Sequence, residues 1–195
     1  NKYLLETTLR ADASAKFAPG HRWGVFPSAS LGWRISEESF MDDTKSVIDD
    51  LKIRASYGRS GNDAVGNFQY LSGYKLNGYY LLGDKSMSGI VTTGLANPDL
   101  TWEKFEIWNV GMDYSFKNRL IYGEADAFYR KRSGIPATRT ASTSPSFGAS
   151  FPAENLNSMN DRGFELSIGS SKSYEDFSFD VCGNISWSRA KWDHY

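Results

Sequence analysis

The chain offers almost no sulfur or imidazole chemistry. Cys182 is the one cysteine among 195 residues, so no intrachain disulfide can form. The two histidines, His21 and His194, lie at opposite ends. A metal site built from His and Cys is therefore not legible. No Asp-rich loop has the spacing that calcium binding uses, and no Walker loop or dinucleotide fingerprint occurs. No cofactor or metal is expected. Catalysis is equally unsupported, because no serine sits in a G-x-S-x-G setting. The nearest approach, Gly58-Arg59-Ser60-Gly61-Asn62, has the wrong spacing. Glu37-Glu38 and Asp42-Asp43 read as solvated charge rather than as acid/base pairs, so the expectation is that the protein is not an enzyme.

Charge of one sign is also missing. Twenty-two basic and 23 acidic residues leave a net charge of −1, which argues against a nucleic-acid partner. There is no apolar run long enough for a membrane-spanning helix, and the mean hydropathy is −0.48. That index is blind to strands that alternate apolar and polar residues. The opening residues lack the basic, apolar and cleavage regions of a signal peptide.

What the chain does have is a period of two. Trp23, Val25, Pro27, Ala29, Leu31, Trp33 and Ile35 alternate with Gly24, Phe26, Ser28, Ser30, Gly32 and Arg34. Such alternation describes a strand between two different environments. Pro27 is a blemish, and Phe26 breaks the polar face. The same split recurs over 4–12, 51–57, 108–116, 121–130, 164–168 and 177–187, giving seven strands. Phe128 is out of place in the fifth. Short links near 116–119 and 170–175, with a compact acidic one at 38–50, alternate with longer polar links near 13–21, 59–99 and 133–160. If the strands run antiparallel, short and long links sort to opposite sides. Transmembrane barrels sort them in this way.

Trp23 and Trp33 lie ten residues apart on one face, about 33 Å along a strand. A tilt of about 40° projects this to about 25 Å, the height of a barrel's apolar band. Phe177 and Trp187 repeat the spacing. The pattern alone leaves two readings open: a membrane barrel, and a soluble β-sandwich whose apolar faces meet, such as a carbohydrate-binding module. A small complete outer-membrane barrel with a structural or adhesion role is a third. The opposite face carries Glu6, Arg10, Asp12, Arg34, Lys52, Arg54, Glu124, Asp126 and Arg130, candidates to line a lumen or touch a plug. Cys182 reads as a small filler. The segment 68–82 holds Tyr70, Tyr74, Tyr79 and Tyr80, candidates to contact a ligand, a partner or neighbouring loops.

Several blocks resemble the SusC/RagA-type TonB-linked outer-membrane proteins. The first holds Leu9-Arg10, Asp12, Arg22-Trp23-Gly24, Phe26-Pro27-Ser28, Gly32-Trp33-Arg34 and Ser36-Glu37-Glu38. Others follow in the family's order at 51–62, at Asn97-Pro98-Asp99-Leu100-Thr101-Trp102-Glu103-Lys104, at 109–114 leading to Asn118-Arg119-Leu120, and at Asn160-Asp161-Arg162-Gly163-Phe164-Glu165-Leu166. Asp12-Ala13 departs from the usual Asp-Gly. The resemblance implies an all-β fold, about seven antiparallel meander strands of a larger barrel of about 22 strands, with long extracellular loops and short periplasmic turns. It implies location in the outer membrane of a Gram-negative bacterium and contact with lipid. It further implies uptake of oligosaccharides or peptides, a SusD-like surface lipoprotein as lid, and TonB acting through a plug. No plug, TonB box or leading sandwich domain is found in 1–195, so the expectation is a partial barrel domain. Asn97-Pro98-Asp99 is expected to turn a loop into a strand, with Trp102 near a wet rim.

Overall fold

The computed structural model describes residues 1–139, 146 and 149–194. Nine strands form: β1 (Tyr3–Ala13), β2 (Trp23–Arg34), β3 (Ile48–Asn62), β4 (Tyr74–Leu82), β5 (Lys85–Thr92), β6 (Glu103–Phe116), β7 (Ile121–Thr138), β8 (Ala153–Ser173) and β9 (Ser178–His194). Seven of them make one antiparallel sheet in the order β1-β2-β3-β6-β7-β8-β9. These are the seven strands expected from alternation. The sheet is a meander, interrupted only by a separate β4-β5 hairpin. Short 3-10 turns at Ile35–Glu37 and Ser39–Thr44 occupy the compact acidic link.

The strands run further than the alternation does. β3 extends to Asn62, β7 to Thr138, and β8 begins at Ala153. Half of the link expected at 133–160 is therefore paired strand. Alternation needs one apolar side, and where both faces meet water the backbone ladder continues without it. The hairpin inside 59–99 escaped for the same reason, since it has no buried face to pattern.

The apolar face of the wall is its exposed face. Trp23 is 71% exposed, Leu31 58% and Ile185 60%, whereas Gly24 and Phe26 on the other side are buried. A soluble sandwich would cover such a face with a second sheet, and no described strand lies against it. One row of outward residues crosses all seven strands in register: Tyr3, Trp33, Ile53, Met112, Ala125, Leu166, Ile185. The apolar band does not follow that row. Between β2 and β9 its lower limit drops three rows, from Trp33 to Phe179. Its upper limit drops four, from Trp23 to Trp187. Each row is two residues, so the drop is roughly 20–26 Å at about 3.3 Å per residue. Five strand spacings of about 4.8 Å cover about 24 Å. A band level with a membrane thus requires strands tilted by roughly 45°, as barrel strands are.

Pro27 fits this wall without cost. The β2-β3 ladder ends at Ser28↔Gly58, so Pro27 is the first residue beyond it and owes β3 no hydrogen bond. Past that point the gap is filled by a small apolar cluster of Phe17, Phe26, Leu100 and Trp102 at the long-link end. Trp102 packs on Phe17 and Phe26 with ring centroids 5.6 and 5.5 Å apart. Its Nε1 donates to the Arg22 carbonyl at 2.9 Å. Trp102 is therefore a buried anchor and not a rim residue: the indole N–H is satisfied by backbone rather than by water.

Candidate functional site: the charged inner wall

Side chains of the polar face converge, which marks that face as concave. The convergence depends on glycine. Arg54 on β3 faces Gly111 on β6, which faces Asp126 on β7. A Cβ at Gly111 would fall on the Asp126 carboxylate and the Arg54 Nη2. Without it, Arg54 crosses an entire strand, donating to Asp126 Oδ2 at 2.9 Å and from Nε to Asp113 Oδ1 at 2.8 Å. Lys52 Nζ sits 3.3 Å from the other Asp113 oxygen, and Glu124 lies 3.9 Å from Arg54. Two tyrosines make the same kind of crossing, Tyr122 on the inner face and Tyr114 on the outer face, where it shares the side of Met112. Tyr114 passes over Gly123 to donate to the Ser167 carbonyl at 3.0 Å. Tyr122 passes over Gly169 to reach Asp180 Oδ1 at 2.5 Å. Each crossing links strands two apart, so the curvature is held by side chains as well as by the ladder.

The aromatic exceptions on the polar face have a related explanation. Phe128 lies over Gly163, which itself faces the Trp187 carbonyl too closely for any Cβ. The Arg130 guanidinium stacks on Phe128 at 4.1 Å, a cation–π contact. Phe26 lies over Gly24 and Gly61. Gly32, on the same face, meets only ordinary contacts at 3.4 Å.

Of the residues expected on the inner wall, Lys52, Arg54, Glu124 and Asp126 come together. Arg10 pairs with Asp12 at 2.7 Å, and Arg34 with Asp50 at 3.3 Å. Arg130 lies 3.7 Å from Asp161. Glu6 is exposed beside Ser30 and Ser56, away from the cluster. Sequence reasoning passed over Asp113, the acid shared by Lys52 and Arg54, although its place in the 108–116 alternation put it on the correct face. It also missed Glu103, 3% exposed, which accepts from Arg132 Nε at 2.7 Å and Asn62 Nδ2 at 3.0 Å. Both ends of that network lie outside the alternating stretches.

The link-end motifs clasp one another. Asn97 Nδ2 donates to the Ala153 carbonyl at 2.8 Å, while its Oδ1 accepts from the Asp99 amide at 3.0 Å, so the expected turn forms as an Asx-type turn. Asn155 accepts from the Thr101 amide at 2.9 Å and donates to the Thr101 and Gly134 carbonyls. Ser14 donates to Asp63 at 2.8 Å, and that bond, with Lys16 nearby, holds the Asp63 carboxyl below its usual range. At the opposite end, Glu38 accepts from the Tyr3 hydroxyl at 2.6 Å, from Trp33 Nε1 at 3.1 Å and from Lys2 at 3.2 Å. The Tyr3 bond contributes most to keeping its carboxyl low.

Tyr74, Tyr79 and Tyr80 all lie on β4, and neither face of the β4-β5 hairpin is covered. Tyr79 is 81% exposed. Tyr70 is separate: its hydroxyl meets Arg22 Nη2 at 3.5 Å, beside the Phe68 ring. Cys182 is exposed in β9, 3.4 Å from the Ser167 hydroxyl.

A tilted wall with its apolar face outward and its charges paired inward matches known proteins over its whole length. The family model described as TonB dependent receptor-like, beta-barrel matches residues 1–194. The chain belongs to this family. The TonB-dependent receptor SusC of Bacteroides thetaiotaomicron is 36% identical over 193 residues, covering 96% of this chain and 19% of SusC. TonB-dependent receptor P39 of Formosa agariphila is 32% identical over 193 residues, with 96% and 18% covered. The chain therefore spans about a fifth of the length of these curated relatives. Among solved structures, the RagAB peptide importer in its closed-closed state superposes with a TM-score of 0.83 at 22% identity, covering 100% of this chain and 21% of that one. The open-open state gives 0.83 at 23% identity over 98% and 20%. TonB-dependent receptors are outer-membrane transporters of Gram-negative bacteria rather than enzymes, and this all-β chain shares their barrel wall and their location.

Proposed function

We propose that residues 1–195 form part of the barrel domain of an outer-membrane importer that takes up oligosaccharides or peptides and is powered by TonB through a plug. The observation that carries this reading is the tilted apolar band on the outer face, set against a fully registered, ion-paired inner face. In this role the chain catalyses nothing. Glu6, Arg10, Asp12, Arg34, Lys52, Arg54, Glu124, Asp126 and Arg130 line the lumen or meet the plug. All of them but Glu6 have an oppositely charged neighbour, which suits a wall that must hold its shape while a plug moves past it. The β4-β5 hairpin, standing free with Tyr74, Tyr79 and Tyr80 uncovered, supplies a surface for a SusD-like lid lipoprotein or for the substrate itself.

The test is growth. A strain lacking the receptor that carries this chain is expected to lose growth on one class of glycan or peptide, and loss of TonB should reproduce the defect. Growth that depends on the receptor but not on TonB would overturn energised import.

A further inference from the structure

The inner and outer faces treat their cations differently. Inside, Arg10, Arg34, Lys52, Arg54, Arg130 and Arg132 all have carboxylate partners. Outside, immediately loop-ward of the apolar band, Lys104, Lys131, Arg162, Arg189 and Lys191 are exposed. None of these five has an ion-pair partner among the described residues. The register gathers them. Arg162 lies directly opposite Arg189, and Lys131, Asn160 and Lys191 share the next row. Lys131 also faces Glu106, which is engaged by Arg59 at 3.8 Å and by the Tyr57 hydroxyl at 3.5 Å. Another acid on this side, Asp193, accepts from Asn160 Nδ2.

Facing like charges destabilise a strand pair when nothing lies between them. Below this patch runs the aromatic edge of the band, with Tyr57, Trp108 and Tyr129 in tilted contact at 5.3 and 5.6 Å and Phe164 stacked on Trp187 at 6.1 Å. Aromatic rings of this kind sit at headgroup level. The cations thus stand one or two rows, two to four residues, beyond the aromatic edge, on the same continuous surface. We propose that this patch binds the phosphate groups of anionic lipid in the outer leaflet, so that this flank of the wall carries a ring of phosphorylated lipid. The inference rests on the reading of the outer band as lipid-facing. Guanidinium groups suit the role because they bind phosphate bidentately, and the acyl chains of the same lipid would lie on the aromatic and aliphatic rows beneath.

The experiment uses the receptor carrying this chain, reconstituted in nanodiscs of mixed phosphatidylglycerol and phosphatidylcholine. Lipid retained after detergent exchange is measured by phosphorus content and mass spectrometry. The wild type should enrich phosphatidylglycerol. A fourfold variant, Lys131→Gln, Arg162→Gln, Arg189→Gln and Lys191→Gln, should lose that enrichment by at least about tenfold, given the attraction of each cation near an anionic surface. Lys75→Gln with Lys85→Gln on the hairpin should leave it unchanged. Inorganic phosphate at the same concentration should not compete, because it has no chain to anchor.

Equal enrichment by the fourfold variant, equal loss by the hairpin variant, or full competition by inorganic phosphate would each overturn the proposal. Brominated acyl chains separate the premises: quenching of tryptophan fluorescence without phosphatidylglycerol enrichment defeats the patch alone. Absence of quenching defeats the lipid-facing reading itself.

Discussion

Gly111→Ala is the sharpest probe of how the inner wall is held. The substitution adds one methyl group at the point where Arg54 passes to Asp126, occupying the space of the Asp126 carboxylate and the Arg54 Nη2. Either the Arg54–Asp126 bond breaks or the backbone shifts. Arg54 and Asp126 are 32% and 15% exposed at their side chains, so water partly compensates. A charge-assisted hydrogen bond contributes about 1.5–3 kcal/mol, and solvent screening at these exposures reduces the expected loss to roughly 1–2 kcal/mol. Against this, alanine regains about 0.5–1 kcal/mol of backbone entropy over glycine. A net cost near 1 kcal/mol is expected, measured by urea unfolding of the receptor in lipid vesicles. The decisive comparison is a double-mutant cycle with Asp126→Ser. In that background the carboxylate is gone, the methyl group has room, and Gly111→Ala should become neutral or mildly stabilising. An equal cost in both backgrounds would refute the claim that Gly111 is an opening for Arg54.

Two further tests address other positions. Gly163→Ala would press against the Trp187 carbonyl and the Phe128 ring and is expected to cost at least about 2 kcal/mol. Gly58→Ala, whose Cβ would only touch Ser28 at 3.8 Å, should stay within about 0.5 kcal/mol by the same unfolding assay. The Glu38 carboxyl, held below the usual carboxylate range by Tyr3, Trp33 and Lys2, stabilises the turn above that range. This contribution disappears as pH falls through the lowered folded-state value. Protection of the amides at 35–47, taken as exchange relative to its intrinsic rate at each pH, should therefore fall on acidification in the wild type, with a smaller pH response in Glu38→Gln.

The fold was legible wherever the wall crosses from water to apolar surroundings. The strand at 23–35 declared itself because Trp23 to Trp33 alternate with neighbours that are small or polar except Phe26, and the structure keeps it as β2 up to Arg34, with Ile35 opening the 3-10 turn. Legibility stopped just past Tyr57 and Arg130, where the next outward side chains, Arg59 and Lys131, are no longer apolar although the ladder goes on. Phe26 and Phe128 looked like errors in the pattern because a glycine in a neighbouring strand cannot be matched to them without register. For the same reason Arg54, Asp113 and Asp126 were readable as inward residues but not as one cluster. Their contact is created by an absence of side chain at Gly111, and only the pairing of β3, β6 and β7 brings that absence between them.

The β4-β5 hairpin joins the rest of the molecule through a narrow neck. The Thr93 amide donates to the Gly73 carbonyl at 2.9 Å, and the Asn97 amide to the Gln69 carbonyl at 3.0 Å. Beyond that closure no strand of the wall pairs with it. Residues 74–92 are thus insulated from the register that fixes the membrane-crossing rows. Their length and sequence are free to drift, or to be exchanged for a foreign loop, without disturbing the wall. The appendage can then be swapped while the wall beneath stays the same.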